Sequence, residues 1–190
     1  MISNRFRYVF GALAITAALF ATVGEGSSSG SKDSSSDSEA SKDAPESTQA
    51  APIPIGTTVM VAEGWNVVVN SAEMDANATV AAINEYSTPD EGKQYVKVNL
   101  SITNNSDQPA AAFTNVSFSL LPLSGIAVDE AFMSDLPDQI SSTADMQPGA
   151  TATGSMLFQV PVDQVAGTVL LAKSTFTLDE AKDQKFMAIQ

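Results

Sequence analysis

Five acidic residues crowd one stretch of the chain: Asp129, Glu130, Asp135, Asp138 and Asp145. Carboxylate oxygens are the ligands a hard cation such as calcium takes, so this stretch is the candidate for a structural calcium site. No EF-hand spacing organises these acids, and crowded acids in a loop commonly form only a solvated face. Two carboxylates can also cleave a glycosidic bond without any other catalytic side chain. Nothing in the sequence singles out such a pair, and a carboxylate-based hydrolase is the lesser alternative.

Other chemistries are closed by composition. The 190 residues include no His and no Cys. Imidazole bases, thiolate nucleophiles, zinc–thiolate sites and disulfides are therefore excluded. The formal net charge is -13, and the arginines, Arg5 and Arg7, both stand at the extreme N-terminus. Phosphate neutralisation needs clustered Lys and Arg, so the chain is not expected to bind nucleic acid, and the acid excess also disfavours anionic lipid headgroups. The residues single out no catalytic, cofactor-binding or metal-binding side chain. The expectation is a non-enzymatic protein that needs no cofactor.

The chain divides into three parts. Residues 1–24 begin with Arg5 and Arg7 and continue into the apolar run YVFGALAITAALFATV from Tyr8 to Val23. A basic start, an apolar middle and small residues at the end form a secretory signal. As a helix the run reaches only about 24 Å, short of the roughly 30 Å hydrocarbon core. Cleavage after Gly24 would release the chain. Retention would leave a signal anchor whose two arginines keep the N-terminus in the cytoplasm and the remainder outside.

Residues 25–55 hold ten serines and no aromatic side chain. Such a segment cannot bury enough apolar surface to offset chain entropy, so a disordered acidic linker is expected, with an end-to-end distance of roughly 30 Å. Residues 56–190 are long enough for one core and short for two domains.

In this third part, Val96, Val98, Leu100 and Ile102 alternate with Tyr95, Lys97, Asn99, Ser101 and Thr103. That period of two predicts a strand over 94–103 with one face on a core. The stretch 151–160 repeats the pattern, with Ala152, Gly154, Met156, Phe158 and Val160 inward. Val116, Phe118 and Leu120 form a third such row. Strands are also expected at 58–62, 65–72, 168–174 and 185–189, with 79–86 as an eighth. Glu63-Gly64 reads as a tight hairpin turn. Residues 129–142 could hold a helical turn, which Pro137 would interrupt. Trp65 is read as a core aromatic, with a ligand-stacking platform as its alternative. Seven or eight short strands with turn signals and little helix predict an all-β, Ig-like antiparallel β-sandwich, preceded by an apolar helix and a disordered linker.

Three stretches resemble one known family. Gly64-Trp65-Asn66-Val67-Val68-Val69-Asn70-Ser71-Ala72 resembles the opening of an uncharacterised Ig-like domain common in Gram-positive cell-surface lipoproteins. Glu91-Gly92-Lys93-Gln94-Tyr95-Val96-Lys97-Val98, followed by Ile102-Thr103-Asn104, is similar to its central strand and turn. Gln147-Pro148-Gly149, Gly154 and Phe158-Gln159-Val160-Pro161 are similar to its late segment. The resemblance implies a β-sandwich displayed outside the cell, similar in fold to a mycobacterial immunoprotective extracellular antigen, with no catalytic residues to transfer. Lipoprotein relatives carry a Cys where the apolar run meets the tether. Here that junction reads Phe20-Ala21-Thr22-Val23-Gly24-Glu25-Gly26-Ser27, so no diacylglycerol can be attached.

The combined expectation is a non-catalytic extracytoplasmic binding or surface-presentation module. Its partner would be an extracellular protein, a peptide or a cell-wall polysaccharide. It would meet a membrane only through an uncleaved N-terminal segment. Four Asn-x-Ser/Thr triplets, beginning at Asn77, Asn99, Asn104 and Asn115, are expected to be inert by-products of polar strand faces.

Overall fold

A computed structural model of the chain describes residues 46–131, 133, 136–177 and 183–190. The leader expected at 1–24 and most of the linker lie outside these residues. Alternating apolar residues build two antiparallel sheets. The larger has the order β1 (Val59–Ala62), β2 (Trp65–Glu73), β3 (Lys93–Asn104) and β7 (Thr151–Pro161). The smaller joins β5 (Val116–Leu121), β8 (Val169–Ser174) and β9 (Gln184–Ala188). Two-residue strands β4 (Ala110–Ala111) and β6 (Asp145–Met146) form a separate clip. A four-residue helix, α2 (Ala112–Asn115), leads into β5.

The inward rows of both sheets meet in one core. Val67, Val96, Val98, Leu100, Met156 and Phe158 from the larger sheet pack with Val116, Leu120, Leu170 and Met187 from the smaller. This is an Ig-like β-sandwich, and the seven principal strands lie where the sequence predicts them. Trp65 is only 2% exposed and belongs to this core, which removes the platform reading. The Glu63-Gly64 turn joins β1 to β2, with Gly64 at φ 75°.

Two expectations are corrected. Residues 79–86 are not a strand: α1 (Asn77–Ile83) occupies most of that stretch. Its apolar positions Val80 and Ile83 are three apart, which suits one helix face and not a pleat. Residues 129–142 form no helix among their described positions. They lie along the outer edge of β7, with bridges from Glu130 to Phe158 and from Gln139 to Ser155.

α1 and this crossover make a second, smaller cluster on the back of the larger sheet. Val80, Tyr95, Met133, Leu136 and Leu157 pack there. Tyr95 and Leu157 are thus buried on a face that alternation assigns to solvent. A third detail concerns the N-terminal side. Ile53, placed by composition with the linker, is buried in the main core. Its N–H donates to Phe186 O at 2.8 Å, and its carbonyl accepts from Ala188 N at 2.8 Å. The open edge of β9 is covered in this way, as an exposed sheet edge must be.

Candidate functional site

The outer face of the larger sheet carries a polar cleft of about 220 Å³ lined by Ser71, Ala72, Glu73, Lys97, Asn99, Asp138 and Ser155. β3 supplies Lys97 and Asn99 from alternate positions of one face. β7 supplies Ser155, directly opposite Asn99. A bulge in β2 helps to shape the site. The pairing jumps from Val69 opposite Leu100 to Ser71 opposite Asn99, leaving Asn70 as the extra residue. A bulge re-aims the side chain it carries. The Asn70 amide donates to Asn99 Oδ1 at 2.9 Å and to Ser101 Oγ at 3.0 Å.

Asp138 arrives from the crossover. Its Oδ2 lies 2.9 Å from the Lys97 ammonium and accepts from Ser155 Oγ at 2.8 Å. Asn99 Nδ2 donates to the same Ser155 oxygen at 3.1 Å. The crossover backbone comes equally close: Ser155 N donates to Asp138 O at 2.6 Å, and Ile140 N donates to Ser155 O at 3.1 Å. This approach demands glycine at 154, where a Cβ would stand 2.8 Å from Asp138 O.

Burial alone would push the Asp138 carboxyl up. The hydrogen bonds from Lys97 and Ser155 and the lysine charge outweigh it and hold the group below its ordinary value. Glu130 differs: burial raises its carboxyl, against a weaker opposing bond from Gln139 Nε2 at 3.3 Å.

The polar groups of the cleft are bonded mainly to one another. Ser155 is fully buried, and its hydroxyl donates to the Asp138 carboxylate. Lys97 pairs with the Asp138 carboxylate at 2.9 Å. Glu73, the second carboxylate of the cleft, accepts from Thr79 Oγ1 at 2.7 Å. Nothing among these groups positively indicates catalysis.

Beyond the cleft the polar face continues as hydroxyl pairs. Ser101 meets Thr153 at 2.8 Å, and Thr103 meets Thr151 at 2.8 Å.

The described acidic residues of that stretch do not share one site. Asp138 belongs to the cleft, Glu130 bonds Gln139, and Asp145 sits in β6. Asp135 lies outside the described residues. Among the described residues no three acidic side chains converge.

The four triplet asparagines each have structural work. Asn77 Oδ1 accepts from Tyr95 N, and Asn115 Nδ2 donates to Ala111 O. Asn99 belongs to the cleft network, and Asn104 is fully buried. The network was not readable from the sequence because Asp138 comes from a stretch without periodicity. Leu157, an apolar residue on a polar face, was the one signal that something covers β7.

Two antiparallel sheets packed on one core, with a polar outer face, define a module of the Ig-like β class. The chain belongs to a family described as a domain of unknown function, DUF4352, whose model matches residues 53–182. The match begins at the residue that enters the core, and the sequence resemblance to an uncharacterised Ig-like family agrees with it. No curated protein matches the chain. Among solved structures, the yjhA protein from Bacillus subtilis is similar at 14% identity and a TM-score of 0.49, over 73% of this chain and 99% of that one. An uncharacterized beta-sandwich protein from Clostridium difficile 630 is similar at 12% identity and a TM-score of 0.44, over 77% and 99%. MPT63, a secreted protein from Mycobacterium tuberculosis, is similar at 16% identity and a TM-score of 0.45, over 69% and 95%.

Proposed function

We propose that the chain is a non-catalytic extracytoplasmic module that binds a hydroxylated polymer, of the cell-wall polysaccharide class, on the outer face of its larger sheet. The observation that carries this reading is the row running from Asn70 through Asn99 and Ser101 to Thr153, with Thr103 and Thr151 beside it. Each hydroxyl has one donor and two acceptor sites, so the pairs keep capacity for a ligand. An amide and hydroxyl surface matches sugar hydroxyls without demanding charge.

The apolar run ending at Val23 holds the chain at the membrane in this reading, and the linker that follows it connects it to the folded module, which includes the segment carrying Ile53. Fractionation of cells with N-terminal sequencing tests the placement. An intact N-terminus in the membrane fraction is expected; a mature start near Glu25 in the medium would refute anchoring.

Binding is tested by sedimentation with purified wall polysaccharide. The double substitution Ser101→Ala with Thr153→Val should abolish co-sedimentation while leaving the melting temperature nearly unchanged. Undiminished binding by that variant would remove the face assignment.

A further inference from the structure

Large exposed apolar side chains gather at one end of the sandwich. β5 ends at Leu121 opposite Val169, where β8 begins, and β7 ends at Pro161 opposite Lys93. The loops 122–127, 162–168 and 84–92 therefore leave the same end. Leu123 is 70% exposed, Ile126 73%, Val162 56% and Tyr86 85%. These side chains sit on a braced frame. Leu123 lies over the backbone of Gly167, with its atoms 3.0–3.2 Å from where a Cβ would stand. Ser124 Oγ donates to Gln164 Oε1 at 2.7 Å. Val128 and Leu120 exchange backbone bonds at the loop's base, and Val162 N donates to Gly92 O. The loop 122–127 reads Pro-Leu-Ser-Gly-Ile-Ala and carries no charge.

The chain also enters the domain at this end. Gln49 Nε2 donates to Leu121 O at 3.1 Å and to Pro122 O at 2.9 Å. Glu46 is three residues away, at most about 11 Å of chain. Residues 24–45 separate it from the apolar run. A leader held at a membrane, as proposed above, would therefore be connected to the domain at the end that carries loop 122–127.

We propose that this end docks on a zwitterionic phospholipid surface, inserting Leu123 and Ile126 among the headgroups with Tyr86 at the interface. The inference rests on the proposed membrane anchoring. Single apolar side chains on an uncharged, rigid loop gain by entering the headgroup region, and tyrosine favours that depth. The domain's sixteen acidic residues against five lysines select neutral over anionic lipid.

The absence of native Cys makes the test clean, because one introduced thiol takes all the label. Full-length Leu123→Cys, Ile126→Cys and, at the far end, Phe176→Cys are labelled with an environment-sensitive fluorophore. Each is reconstituted in phosphatidylcholine vesicles with and without brominated lipid. Labels at 123 and 126 should shift to shorter wavelength and lose emission to bromine, with the label at 176 unaffected. Adding anionic lipid should weaken both changes. A chain that floats with the vesicles but shows no quenching at 123 and 126 refutes docking and leaves anchoring intact. Equal quenching at 176 also refutes it, as does a wavelength shift that grows with protein concentration in the absence of lipid. A chain that fails to float removes anchoring and docking together. Emission of Trp65 verifies that each variant is folded.

Discussion

Asp138 Oδ2 stands 2.9 Å from the Lys97 ammonium, tying an irregular crossover to the middle strand of a sheet. The pair is partly open to water, with the Asp138 side chain 45% exposed, so its worth is at most about 1 kcal/mol. The carboxyl titrates below its ordinary value in the folded chain, so its stabilising contribution is present above the unfolded carboxylate range. It is lost as pH falls through the lower folded value. Asp138→Asn should melt earlier than the parent at neutral pH and converge with it in acid. Melting curves between neutral and strongly acidic pH check this.

Glu130 has the opposite sign. Burial raises its carboxyl, so the folded chain holds that proton more tightly than the unfolded chain. Its favourable contribution is present below the unfolded value and fades as pH rises through the folded one. Glu130→Gln should therefore raise the melting temperature at neutral pH and leave it nearly unchanged in acid.

Gly154→Ala should destabilise by about 1–3 kcal/mol, the usual range for overpacking. The added methyl would meet Asp138 O and the Ile140 backbone at 2.8 Å. Neither is the end of a flexible side chain that could step aside. Urea unfolding followed by Trp65 emission reads the loss, and a midpoint equal to the parent's would contradict the close approach.

Asn104 fastens the opposite end of the sandwich. Its amide donates to Met146 O at 2.8 Å and Gln108 O at 2.9 Å, while its Oδ1 accepts from Ser106 N and Ser106 Oγ. Asn104→Ala leaves buried groups unpaired and should cost about 2–3 kcal/mol. Hydrogen exchange should accelerate first in the 105–111 and 145–150 segments.

Ile53 predicts where the folded unit can be trimmed. A chain beginning at Glu46 should be more stable than one beginning at Gly56 by about 2–4 kcal/mol, the cost of emptying a buried isoleucine site. Equal unfolding midpoints would show that the segment adds nothing.

Strands β3, β5 and β7 were legible because each shows an apolar row at period two, whereas β8 reads as a short continuous apolar run. Helix α1 was not: it is two turns long, buries Val80, and reads locally as a β-rich run. The boundary at Ile53 was hidden because Ile53 and Ile55, set among prolines and alanines, make too short a pattern to read as part of the fold. The cleft was hidden for a different reason. Lys97, Asn99 and Ser155 were visible as polar positions on paired strands, but their partner Asp138 is brought in by tertiary packing that no local spacing encodes.

The attachment of Ile53 to β9 also decides how the molecule responds to pulling. Tension applied from the N-terminal side is expected to load the Ser47–Phe186 bond, the Gln49 bonds to Leu121 and Pro122 and the two backbone bonds of Ile53 before any strand of the sandwich. In a single-molecule pulling measurement these fastenings are expected to part before the sheets, freeing the segment 46–55 as the first extension step.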